Sequence, residues 1–210
     1  MLGSFIALAE CRTNRNESII YPRSHCDYCN YTLQWFDLIP IVSYIFLMGK
    51  CRECKRKISI SFFMIEILSI LINVLFYLKT NSLIYVPFIL CLIFLSLQDF
   101  HKKYVSLYAI IILLVIAITI NYDLFKILII FSIYLVLTIL NRYGKFIGSA
   151  DIDIICICAI VFDVNTLINI VLISSSLCLI FFVYFKNKEN KLPFVPFIFA
   201  GIIISICIQK

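Results

Sequence analysis

The stretch Tyr104-Val105-Ser106-Leu107-Tyr108-Ala109-Ile110-Ile111-Ile112-Leu113-Leu114-Val115-Ile116-Ala117-Ile118-Thr119-Ile120 carries no charge and is apolar on every side. Wound as a helix at 1.5 Å per residue, it approaches the length needed to cross a hydrocarbon core of about 30 Å. A barrel strand would alternate polar and apolar residues, and this run does not. Comparable runs lie at 59–78, 83–98, 124–140, 152–162, 166–185 and 193–208, separated by short polar turns. With 63% hydrophobic and 14% charged residues and a mean hydropathy of +1.05, the chain is too apolar for an ordinary soluble domain. The expected fold is all-α: a polytopic helical membrane protein of about seven to eight membrane segments with a small zinc-binding module. The run 152–162 is short enough to predict a tilted or half-inserted helix.

The connections read as turn and cap chemistry, as in Asn121-Tyr122-Asp123 and Asp163-Val164-Asn165. Residues 1–9 are apolar but too short to span, and are read as the end of a first membrane segment. No basic region precedes them, which argues against a cleavable signal peptide. Residues 10–58 are polar, basic and cysteine-bearing and form a separate small module. Within it, 38–48 is apolar enough to pack on a membrane surface. Residues 59–210 form the membrane-embedded remainder, and no internal repeat is evident.

A net charge of +6 raises the question of nucleic acid, but in a membrane chain the basic residues report sidedness instead. If each segment crosses once, fifteen of the eighteen Lys and Arg residues fall on one side, in 10–57, 99–103, 141–151 and 186–192. That side is expected to be cytoplasmic, and it holds the cysteine module, Asp99 and Asp151. The lipid bilayer is thus an expected partner, and nucleic acid is not.

Cys26-Asp27-Tyr28-Cys29 and Cys51-Arg52-Glu53-Cys54 are two CxxC pairs 21 residues apart. Four thiolates supplied by two tight turns complete a closed tetrahedral zinc shell, which leaves no position for substrate and marks a structural metal. His25 is read as solvated, because the shell is already full. Disulfides are disfavoured at a reducing cytoplasmic face. The other six cysteines, Cys11, Cys91, Cys156, Cys158, Cys178 and Cys207, are read as small apolar packing groups.

An acid at membrane depth is costly if charged and unpaired, so Glu66, Asp99, Asp151 and Asp153 stand out. Taken singly, Asp99 reads as a solvated helix end and Asp151 as an acid favoured by a helix dipole. Taken together, they fit a carboxylate pair sharing one proton, the arrangement of aspartyl proteases. Gly148 would let the backbone approach closely at that turn. Glu66 reads as an internal hydrogen-bonding partner.

These residues, in this order, resemble the type IV prepilin leader peptidases, membrane aspartyl proteases with a GxGD motif. Gly3-Ser4-Phe5, Arg12, Pro22, Ser24, the four cysteines, Asp37-Leu38-Ile39-Pro40 with Ser43, and Glu66 follow the family's N-terminal pattern. Asp99 with Val105-Ser106 resembles the first catalytic motif, Gly148-Ser149-Ala150-Asp151 the second, and Pro193-Phe194-Val195-Pro196-Phe197 a late PFGPF segment. The resemblance implies catalysis by Asp99 and Asp151 and cleavage of the basic leader of prepilins or pseudopilins at the cytoplasmic face of a bacterial inner membrane. In many members it also implies N-methylation of the new terminus with S-adenosylmethionine, and a place in pilus or competence machinery. Ala150 stands where the family has its second glycine, which predicts a less permissive turn, and Asp153 stands where it commonly has lysine. Asp153 lies about 200° around a helix from Asp151, so the two should meet different neighbours. The other reading of the same features is a non-enzymatic scaffold or transporter with a zinc module.

Overall fold

The computed structural model describes residues 2–14, 18, 21, 24–26, 28–34, 37, 40–144, 147–185 and 192–208. Among them nine helices and no strand longer than an isolated bridge are formed. The chain divides into two compact units, Met1–Leu78 and Lys79–Lys210.

In the first unit, α1 (Leu2–Asn14) runs five residues past the apolar 1–9 expected from sequence. It continues because Glu10 and Arg12 are buried by protein instead of meeting water. The Thr13 hydroxyl donates to the Ala9 carbonyl at 2.6 Å, and Arg12 reaches the Ser18 carbonyl at 3.3 Å. The short α2 (Pro40–Phe46) starts on proline, whose fixed φ and missing N–H suit a first helical position. It turns Val42, Ile45 and Phe46 outward. Tyr44 of α2 stacks on Phe63 of α3 (Ile60–Thr80), with ring centroids 4.8 Å apart. A side chain at Gly3 would strike the Ser69 hydroxyl and come within 2.9 Å of a Glu66 carboxylate oxygen, so glycine is what allows α1 so close to α3.

The second unit holds α4 (Tyr85–Lys102), α5 (Leu107–Ile120), α6 (Leu124–Gly144), α7 (Ser149–Val161), α8 (Val164–Phe185) and α9 (Val195–Ile208). These helices coincide with the apolar runs, with shifted ends. The short segment begins at Ser149 instead of 152, so both Asp151 and Asp153 are helical. Helix α4 continues past Asp99 to Lys102 and stops where Lys103 adopts a left-handed conformation. Gln98 fixes the following turn by accepting both the N–H and the hydroxyl of Ser106, at 3.2 and 3.0 Å.

Helix α4 packs on α5 and α9, α7 on α5 and α6, and α8 along α9. Phe88, Leu92, Leu95, Leu113, Ile154 and Ile202 are fully buried between them. Small residues set the α8–α9 approach: a Cβ at Gly201 would lie 2.8 Å from the Ile170 carbonyl oxygen. Cys156 and Cys158 are buried as expected, whereas Cys207 is exposed and so is not a packing group within the protein. It lies one residue from the end of α9, where no neighbouring helix covers it among the described residues.

Three helices are long and apolar enough to cross a membrane, over Phe63–Thr80, Leu124–Tyr143 and Val164–Tyr184, and the apolar Leu107–Ile120 and Val195–Ile208 are shorter. None of the Leu124–Tyr143 window is buried inside the protein. Leu128, Phe131, Val136, Ile139 and Leu140 face outward there. An apolar surface of that extent requires lipid or another protein against it.

The turn before α6 works as the sequence suggested and does something further. Asp123 caps α6 by accepting the N–H groups of Phe125 and Lys126 at 3.1 and 3.3 Å. Asn121 and the Lys126 ammonium then reach across to α7: Asn121 Nδ2 donates to the Ile160 carbonyl at 3.1 Å, and Lys126 Nζ to those of Ile160 and Phe162 at 3.1 and 3.0 Å. A cation at the C-terminal carbonyls satisfies orphan acceptors and complements the helix dipole. Lys126→Met should therefore destabilise the second unit by about 1–3 kcal/mol. A lowered thermal midpoint in detergent would show this, and an unchanged midpoint would mean the clasp contributes nothing.

Candidate active site and metal centre

The four cysteines of the first unit converge. Cys26 and Cys54 sulfurs lie 3.8 Å apart, Cys29 and Cys51 sulfurs 3.9 Å, and all four within 4.8 Å. No disulfide joins them. A tetrahedral shell with Zn–S of about 2.3 Å has sulfur–sulfur edges of roughly 3.8 Å, so the cluster is the size that such an ion fills.

Two turns of the same construction produce it. In the first, the Cys26 N–H donates to the Tyr31 carbonyl and the Asn30 N–H to the Cys26 carbonyl, both at 2.9 Å. In the second, Cys51 donates to Arg56 at 2.9 Å and Lys55 to Cys51 at 3.2 Å. Bridges His25–Thr32 and Lys50–Lys57 close each turn at matching offsets. Asn30 and Lys55, each following the second cysteine of its pair, take φ of 55° and 56°. The repeat is one of backbone and is invisible in the side-chain sequence. His25 contributes its backbone to the first bridge, and the converging set is the four cysteines alone among the described residues.

Asp37 locks the second turn, a role that the sequence reading did not assign. Its Oδ1 accepts Arg52 Nη2 at 2.8 Å and Nε at 3.2 Å, while Oδ2 accepts the Gln34 N–H at 3.3 Å. Arg56 lies over the Tyr28 ring at 4.5 Å, joining one turn to the other. Burial pushes the Cys26 thiol up, but the N–H groups of Tyr28 and Cys29 and the neighbouring thiols outweigh it and bring it down to about 7. At Cys29 the Tyr31 N–H pulls downward, while burial and the other three thiols drive it up to about 11. Four sulfurs this close can all ionise only around a cation.

In the second unit, Asp99 is 8% exposed, so it is not the solvated helix end that its basic neighbours suggested. Its Oδ2 accepts the Val195 N–H at 2.9 Å. Val195 is the first residue of α9, so Asp99 of α4 caps α9 from outside. The segment Pro193-Phe194-Val195-Pro196-Phe197 brings the helix start to this acid.

Asp151 sits in the first turn of α7 and is close enough to Asp99 for the two charges to interact. Asp153, two residues on, lies close to Tyr134 of α6. The two acids of α7 thus face different neighbours. Gly148 precedes the helix at φ −60°, which any residue can adopt, so its use is space and not backbone freedom. A Cβ there would lie 2.6 Å from Asp151 Oδ2. Ala150 is an ordinary residue of the first helical turn, with no positive φ. The less permissive turn expected at 150 is therefore no obstacle, because a helical position accommodates a Cβ. Gly148→Ala should leave α7 intact but displace the Asp151 carboxylate. If Asp151 is used as proposed below, its processing rate should fall about tenfold or more at unchanged protein level, and full activity would show that the displacement is harmless.

Glu66 belongs to the first unit and is 1% exposed, and the Ser69 hydroxyl donates to its carbonyl at 2.8 Å. It is buried within its unit, as its position inside an apolar run suggested.

The family described as Bacterial Peptidase A24 N-terminal domain matches residues 1–80, the stretch holding α1, the four-cysteine cluster and α3. Relatives of the A24 domain extend the similarity. A protein named prepilin leader peptidase/N-methyltransferase in Bacillus subtilis is 36% identical over 105 residues, 48% of this chain and 42% of its own length. One of the same name in Vibrio cholerae is 47% identical over 45 residues, 21% of this chain and 18% of its own. The type 4 prepilin-like proteins leader peptide-processing enzyme of Escherichia coli is 43% identical over 54 residues, 26% and 20%. The chain spans less than half the length of each of these relatives. No solved structure matches the chain.

Proposed function

We propose that this chain is a membrane aspartyl endopeptidase that removes the leader peptide from type IV prepilins or pseudopilins, with Asp99 and Asp151 as the catalytic pair. The observation that supports this reading is that the two carboxylates, one from α4 and one from the first turn of α7, are close enough for their charges to interact, with Asp99 held at the start of α9. Like charges at close range are not both ionised cheaply, so such a pair holds one proton between its members. A shared proton is what amide hydrolysis needs: a base for water and an acid for the carbonyl. The similarity to relatives named as prepilin leader peptidases supports the substrate class.

The four-cysteine cluster holds a structural zinc in this reading, with Cys26, Cys29, Cys51 and Cys54 as ligands and Asp37 bracing the second turn through Arg52. Bound there, zinc supplies folding energy to a segment too polar to build its own core. We further propose that the chain lies in the bacterial cytoplasmic membrane with the basic loops and both aspartates on the cytoplasmic side. N-methylation of the new terminus, using S-adenosylmethionine, is proposed on the relatives' names alone.

Co-expression with a prepilin tests these points together. The expected product is a pilin shortened by its basic leader, and a mass about 14 Da higher would add methylation. An intact prepilin would leave the scaffold or transporter reading. Crosslinking of an Asp99→Cys, Asp151→Cys double variant is a second test, and failure to bridge the two positions would argue for the scaffold.

A further inference from the structure

The two aspartates are equivalent in the pair described above, but the structure does not treat them alike. Asp99 accepts the backbone N–H of Val195 at 2.9 Å, at the opening of α9. Asp151 receives no hydrogen bond from any described residue, and its carboxylate instead lies close over Gly148. The charged groups around the pair do not reverse this asymmetry. Helix α9 carries no acid or base other than the exposed thiol Cys207, and α5 carries only Tyr108. Asp153 is turned to Tyr134 of α6. His101, Lys102 and Lys103 follow Asp99 at an exposed helix end.

We infer that the start of α9 divides the labour of the pair: the Val195 N–H holds Asp99 as the ionised base, leaving the shared proton on Asp151. N–H donors at a helix start favour an anion, both by hydrogen bonding and through the helix dipole. The inference rests on the peptidase reading and assigns roles within it. Asp99 takes a proton from water as the water oxygen bonds to the scissile carbonyl carbon, and Asp151 gives its proton to the carbonyl oxygen. In the return step the proton on Asp99 passes to the leaving nitrogen, the C–N bond breaks, and Asp151 recovers a proton from the collapsing diol. Val195 is a positioning residue acting through its backbone.

A backbone N–H can be removed by proline, and Val195 occupies the first position of α9, where proline is tolerated. Val195→Pro should move the acid limb of the processing rate upward by about one pH unit, because Asp99 loses a donor to its charged form. Val195→Leu keeps the N–H and should leave the limb in place. An unmoved limb in an active Val195→Pro protein would overturn the assignment. The unaltered full-length protein gives an independent measure. A hydrophobic carbodiimide, which adds to protonated carboxyls, should label Asp151 and not Asp99 at pH 7 when the adduct is mapped by mass spectrometry. Labelling of Asp99 in preference to Asp151 overturns the assignment even if Val195→Pro does not fold. Failure of the underlying reading is separable: processing that survives Asp99→Asn or Asp151→Asn overturns the peptidase itself, whichever residue is labelled.

Discussion

Asp99→Asn and Asp151→Asn should each lower leader removal from a co-expressed prepilin by about 10³-fold, in line with what one positioned acid or base contributes. At 1.36 kcal/mol per decade this is about 4 kcal/mol of lost transition-state stabilisation. The substitutions are chosen to separate chemistry from folding. Asparagine has nearly the shape of aspartate, and its amide oxygen can still accept the Val195 N–H that Asp99 now accepts, so α9 should stay capped. What is lost is the ability to take or give a proton. Membrane level and metal content should therefore match the unaltered protein. Processing that continues in either variant would remove that aspartate from the mechanism, and Asp153→Asn would be the next variant to examine.

The second large effect concerns the cysteine cluster. Cys51→Ser should reduce bound zinc from about one per chain to near zero and unfold the turns around it. A three-thiolate set leaves the shell open, and structural zinc sites contribute on the order of 10 kcal/mol to folding. Cys51 is the most buried of the four, so serine there also buries a hydroxyl in place of a ligand. Metal analysis of purified protein measures the first effect. Faster tryptic cleavage at the exposed Lys55, Arg56 and Lys57 measures the second. Full zinc content in the variant would show that the cluster is not the binding site. A chelator should reproduce both effects in the unaltered chain, and adding zinc back should reverse them.

Both experiments address residues that were legible in the sequence, for different reasons. The cysteines announce themselves by spacing, since a CxxC turn presents two sulfurs to one point and two such turns meet the demand of a tetrahedral ion. The helices announce themselves because apolar runs of this length have few alternatives to spanning lipid as helices. Asp99 and Asp151 were legible only as acids where acids are costly. Asp37 was not assigned a role, because its importance comes from Arg52, fifteen positions away, and no local pattern encodes that ion pair. Lys126 was counted only as a charge on the minority side, whereas it holds the end of α7.

From its sequence alone the chain is determined to be all-helical and suited to lipid, with a four-thiolate cluster, because hydropathy and short-range ligand spacing are properties of neighbouring residues. Tertiary structure decided the rest. It brought Asp99 to the start of α9, 96 positions away, near enough to Asp151 for their charges to interact. It turned Asp153 toward Tyr134, and it made Gly148 a matter of room for a carboxylate instead of a matter of backbone conformation. Each of these depends on which helix packs against which, and apolar helices that are greasy on every side carry little in their own sequence to say so.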